Sequence, residues 1–138
     1  MLHSIPIWNE NEKSQKSRHS QKEEEMAVRN LASSELESVK DSGERLSVVD
    51  FSADWCGPCK MLHPVLDKVS EEMADRVDFY TVDVDKAQAE ASRLGIRGVP
   101  TMIVFHGGNE VDRMVGFRDA SSLSGRLREL ADQHIDGE

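Results

Sequence analysis

Cysteine is scarce in this chain. There are two in 138 residues, both inside one short stretch. With histidines scattered elsewhere, that falls short of the four ligands a structural zinc site normally takes. Long apolar runs are missing too: nothing approaches the ~18 consecutive apolar residues a membrane-crossing helix needs. The first residues lack the basic n-region and apolar h-region of a secretory signal. Positive charge is in deficit, with 17 Lys and Arg against 26 Asp and Glu, a formal net charge of -9. That balance disfavours phosphate backbones, so neither nucleic acid nor membrane is expected as a partner. No internal repeat is visible. A chain of this length with 38% hydrophobic residues is expected to form one domain with one core.

What the chain does have is Trp55-Cys56-Gly57-Pro58-Cys59-Lys60. It follows an apolar run, Leu46 to Phe51, that reads as a buried strand. It opens an amphipathic run, Pro58 to Met73, that reads as a helix with Leu62, Val65, Leu66, Val69 and Met73 on one face. Two cysteines at a helix start are brought together by one turn. The first N–H groups of a helix have no intrahelical partner, and the helix dipole adds positive character there. Both favour a thiolate on Cys56, and thiolate is the species that attacks disulfides. Pro58 suits the first turn of a helix, where its missing N–H costs nothing. Gly57 leaves room for another chain to approach. A static staple is the competing reading, but a loop of two residues constrains the unfolded chain very little.

The rest of the chain frames that stretch. Asn9 to Glu25 carries charges, Ser and Gln with no apolar residue, so residues 1–25 are expected to be a disordered tail ahead of a domain over 26–138. The slightly apolar start, Met1 to Trp8, is a candidate docking peptide or part of that tail. Ala27 to Leu31 reads as a short edge strand. Ser34 with Glu37 resembles a capping box for a helix over about Glu35 to Asp41. Val77 to Val84 reads as a second strong strand. Asp85 is placed to cap a short helix through Ala87, Ala91 and Leu94, with Gly95 as its C-cap. Met102 to His106 and Glu110 to Val115 read as strands around a Gly107-Gly108 hairpin. A last helix from about Ser121 aligns Leu123, Leu127, Leu130 and His134. Pro64 is expected to kink the helix after the cysteines. The order implies an α/β sandwich of three layers: a mixed sheet, parallel at its centre with the hairpin adding one antiparallel strand, flanked by helices.

The run from Val49 to Lys60, VDFSADWCGPCK, resembles the active-site segment of the thioredoxin family. Gly95-Ile96-Arg97-Gly98-Val99-Pro100-Thr101 resembles its second signature, and Val115-Gly116 falls where its third substrate-facing loop would be. The resemblance covers about residues 27 to 134 and implies the thioredoxin fold and a protein-disulfide reductase. It implies that Cys56 attacks a substrate disulfide, that Cys59 resolves the mixed disulfide, and that a thioredoxin reductase drawing on NADPH restores the dithiol. No bound cofactor or metal is implied beyond the redox-active pair Cys56–Cys59. Asp50 matches the buried acid behind the resolving cysteine; burial should raise its pKa and suit it to take the proton of Cys59. Pro100 matches a cis-proline facing the site, and Val99 before it would offer backbone hydrogen bonds to an extended substrate. Trp55 would shield Cys56, and Trp55, Gly57, Pro58, Val99, Pro100 and Gly116 together would form the docking patch. Two positions depart from many bacterial relatives: Ser52 stands where they have tryptophan, and Thr81 where they have a lysine near the acid. A monomer in a reducing compartment such as the cytoplasm is expected, with disulfide-bearing proteins as substrates. His63 and His106 read as surface or helix-face residues, and Met61, Met73, Met102 and Met114 as core or rim.

Overall fold

The computed structural model describes residues 28–136. The expected disordered tail and the candidate docking peptide lie outside them. Five strands form one sheet: β1 (Val28–Leu31), β2 (Leu46–Ser52), β3 (Val77–Asp83), β4 (Thr101–His106) and β5 (Asn109–Val115), in spatial order β1-β3-β2-β4-β5. Four α-helices accompany them: α1 (Leu36–Val39), α2 (Gly57–Glu72), α3 (Gln88–Arg93) and α4 (Ala120–Ala131).

β2 is central, and all seven of its residues are buried. Its alternation sorts them onto two faces. Leu46 and Val48 join Leu62, Leu66 and Val69 of α2, Met73 at its C-cap, and Leu123, Leu127 and Leu130 of α4 in one core. Val49 and Phe51 join Leu36 and Val39 of α1, with Tyr80, Val82, Ile103 and Phe105, in the core on the other side. The expected three-layer α/β sandwich is therefore the observed architecture.

One pairing differs from expectation. β1 and β2 both run parallel to β3, but β4 runs antiparallel to β2. The reversed strand is thus β4 rather than β5. β4 starts where β3 finished, with Thr101 opposite Phe51 and Phe51 opposite Val82. A hairpin signal fixes only the relative direction of the two strands it joins, so it leaves open which of them opposes β2.

Caps also moved by one or two residues. Ahead of α1, a 3-10 turn (Ser33–Glu35) takes the capping role, with the Ala32 N–H donating to Glu35 Oε1 at 2.8 Å. Asp83, not Asp85, caps the turn before α3, accepting from the Asp85 N–H at 2.9 Å. Asp83 has the extended backbone an N-cap requires, while Asp85 already lies inside the turn. Past α4, a π-helical turn (Asp132–Asp136) holds His134, whose ring lies 5.5 Å from that of His106.

At the end of the sheet away from the cysteines, Arg45 ties three segments. Its Nε and Nη2 donate to the Asp78 carboxylate at 3.1 and 2.9 Å, and its Nη1 to the Asp75 carbonyl at 2.7 Å.

Candidate active site

The loop leaving β2 turns into α2 at Cys56, which is the N-cap of that helix and has extended backbone. Pro58 occupies the first turn, as its fixed φ and absent N–H permit. Cys56 and Cys59 are disulfide-bonded. The Cys59 N–H donates to Cys56 Sγ at 3.2 Å, so an otherwise orphaned helix donor points at that sulfur. The two cysteines are not equivalent: Cys56 retains 5% of its surface, while Cys59 has none. Gly57 and Pro58 beside them are exposed, and a Cβ on Gly57 would meet no atom within 4 Å. That face is open to an incoming chain.

Three further segments close around Cys56. The Val99–Pro100 peptide bond is cis, and the Val99 carbonyl oxygen lies 3.6 Å from Cys56 Sγ. The Gly116 N–H donates to the Pro100 carbonyl at 2.8 Å, which binds the third loop to the second. Gly116 has φ +92, a conformation that L side chains rarely adopt. Trp55 is 69% exposed, and its indole Nε1–H donates to Asp85 Oδ2 at 2.9 Å. Asp85, expected as a helix cap, instead anchors the tryptophan. Pro100 itself is buried. Met61 and Phe117 are exposed apolar residues beside the expected set, one on the first turns of α2 and the other just past Gly116. Met61 is rim; Met73, Met102 and Met114 are core.

Beneath α2, the core-facing row of β2 runs Leu46, Val48, Asp50, Ser52. Asp50 is fully buried, and neither carboxyl oxygen has a hydrogen-bond partner among the described residues. Burial pushes its pKa up from 3.8 to about 7, because a carboxylate out of water loses its hydration. His63 Nε2 lies 3.9 Å from Asp50 Oδ2 and 3.4 Å from Ser52 Oγ. The helix-face reading of His63 thus holds, but the sequence reading passed over what that face covers. The signal was spacing: His63 is four residues after Cys59, hence on the same side of the helix.

Among the described residues, no group of three or more His, Cys, Asp or Glu could hold a metal ion, and no helix is long and apolar enough to cross a membrane.

Comparison with known proteins bears on the same segments. The thioredoxin family model matches residues 27–129. Thioredoxin-2 of Saccharomyces cerevisiae is 42% identical over 70% of this chain and 91% of its own. A thioredoxin of Staphylococcus epidermidis is 37% identical over 80% of this chain and all of its own. Among solved structures, the thioredoxin of Malassezia sympodialis is similar with a TM-score of 0.65 and 37% identity, covering 78% of this chain and 90% of that one.

Proposed function

The chain belongs to the thioredoxin family of thiol–disulfide oxidoreductases, and we propose that within it this protein reduces the disulfides of other proteins. The observation that carries the reading is the asymmetry of the cysteine pair at a helix N-terminus: one sulfur reachable, its partner sealed beneath it. In the dithiol form, the Cys59 N–H and the helix dipole favour a thiolate on Cys56. That thiolate attacks one sulfur of a substrate disulfide. A Cys56–substrate bond forms, and the other substrate sulfur leaves as a thiolate. Cys59 then loses its proton and attacks Cys56 Sγ. The Cys56–Cys59 bond forms, and the second substrate sulfur leaves, so the substrate gains two electrons and the protein loses two. Asp50, whose carboxylate is present in a substantial share near pH 7, takes the proton from Cys59 in that form and becomes the neutral acid.

The substrate lies extended across Gly57, Pro58 and Gly116, with the Val99 backbone as its hydrogen-bonding rail and Trp55 as an apolar wall. Pro100 holds that rail in place from beneath. A thioredoxin reductase using NADPH returns the pair to the dithiol; the protein itself holds no cofactor in this scheme. Residues 26–138 form the working domain, and residues 1–25 are dispensable for the exchange chemistry. A reducing compartment, the cytoplasm, suits this direction.

The test is insulin-disulfide reduction by the full chain. Cys56→Ser abolishes it, and Cys59→Ser accumulates a substrate-linked intermediate visible on a non-reducing gel. Full activity in Cys56→Ser overturns the reading. Removing residues 1–25 separates this reading from a docking module, which would lose its partner while a reductase keeps its rate.

A further inference from the structure

A fully buried carboxyl that receives a proton in each catalytic cycle must also release it. The surroundings of Asp50 leave few ways out. In the flanking strands, Thr81 of β3 and Met102 of β4 stand in register with it, and neither titrates. The Thr81 hydroxyl is turned to Asn30 Oδ1, donating at 2.7 Å. Among the described residues, the one group within 4.0 Å of Asp50 that can carry positive charge is His63. On α2 itself, Cys59 lies one turn before His63, while Lys60 and Asp67 are exposed residues on the turns either side.

His63 spans the gap that matters. Its side chain is 49% exposed, whereas that of Asp50 is wholly buried. An imidazole both accepts and donates a proton near neutral pH, which a lysine does not do as readily. The short Ser52 side chain, two residues along the same face from Asp50, lies 3.4 Å from the same Nε2. The 3.9 Å to Asp50 is beyond a direct hydrogen bond, and a small rotation of the half-exposed ring closes it.

We propose that His63 is the positioning residue through which Asp50 exchanges its proton with solvent, with Ser52 holding the imidazole over the carboxyl. This rests on the reductase reading above. As Cys59 attacks, its proton passes to Asp50. Asp50 hands it to His63 Nε2, and the imidazolium gives it to water at the exposed edge. The departing substrate thiolate takes a proton from solvent separately, and both electrons stay among the sulfurs. When the dithiol is regenerated, the route runs backwards and Cys59 regains its proton.

Stopped-flow reduction of a small aromatic disulfide by the full chain resolves attack from resolution. In His63→Ala the attack phase is unchanged, and the resolution phase near pH 7 slows about tenfold, less than the ~10²–10⁴ of a full general acid–base group, since Asp50 remains. Added imidazole restores that phase in His63→Ala but not in the double variant with Asp50→Asn. Wild-type resolution rates across pH 5–9 in His63→Ala, or a slowing that imidazole does not relieve, overturn the proposal. If the wild type reduces no disulfide, the reductase reading fails, and the carboxyl carbon signal of Asp50 still decides the coupling. A two-step titration in wild type that becomes a single step in His63→Gln supports it; identical curves overturn it.

Discussion

Along one interface, β2 meets α2 in two different ways. At its start, Leu46 and Val48 pack against Leu62, Leu66, Val69 and Met73, an apolar contact without a polar atom to satisfy. Two residues further on, the same face of the same strand presents Asp50 and Ser52 beneath the helix turn that carries Cys59 and His63. One half is built for cohesion and the other accepts a bare carboxyl in the interior. Burying a polar group without a partner costs stability, so the second half is a local loss that the first half offsets. The difference teaches where strength and chemistry are kept apart in this fold: two residues of strand separate them.

Moving the acid into the cohesive half should break the molecule. Val48→Asp puts a charge among Val69, Phe79 and Val104, and is expected to cost about 4 kcal/mol or more, a large share of a total near ~5–15 kcal/mol. Urea unfolding at pH 7 reads this directly.

Neutralising the acid where it belongs has the opposite sign and depends on pH. Folded Asp50 holds its proton up to about pH 7, the unfolded chain only to about 3.8. Below pH 4 both states are protonated, and Asp50 imposes no charge penalty. Between pH 4 and 7 the folded state binds more protons, so wild-type stability falls as pH rises; above 7 the full penalty is present. At about 1.4 kcal/mol per unit, the span reaches about 4 kcal/mol. Asp50→Asn should remove this slope, so the gap between variant and wild type opens from pH 4 to 7 and is flat outside. Parallel denaturation series at each pH measure it, and parallel curves at all pH values would contradict it.

Smaller effects belong to the rim of the chemical half. Gly116→Ala forces a side chain onto φ +92 and should cost about 1–2 kcal/mol, read as a lowered thermal midpoint together with weaker substrate binding. Asp85→Ala frees the Trp55 indole yet changes stability by no more than about 0.5 kcal/mol, as exposed contacts do; its signature is faster solvent exchange of the Trp55 indole proton.

Much of this was legible beforehand, and unevenly so. The strand-turn-helix around Cys56 and Cys59 could be read from an apolar run, a Gly-Pro pair and a 3.6-residue period. All three are local, so the reading survived. The direction of β4 was not local: it depends on the end at which the chain re-enters the sheet after α3, and a hairpin signal at Gly107-Gly108 says nothing about that. Asp85 was misassigned because Asp83 and Asp85 are equally good caps by residue type, and only backbone geometry separates them. His63 was read correctly as a helix-face residue and incompletely as a neighbour. Its relation to Asp50 crosses from helix to strand, which no single window of sequence contains.

The guanidinium of Arg45 grips Asp78 and the Asp75 carbonyl at a distance from the sulfurs, at the foot of the strand that runs beneath them. It fastens β2 to β3 where Leu46 stands opposite Val77. A slide of one position there would turn every side chain of β2 to the opposite side. Phe51 would then lie under His63, and the carboxyl would face α1, out of reach of the cysteines. The buried side chains of β2 impose this register, and the ion pair at the foot of the sheet adds a clasp to it.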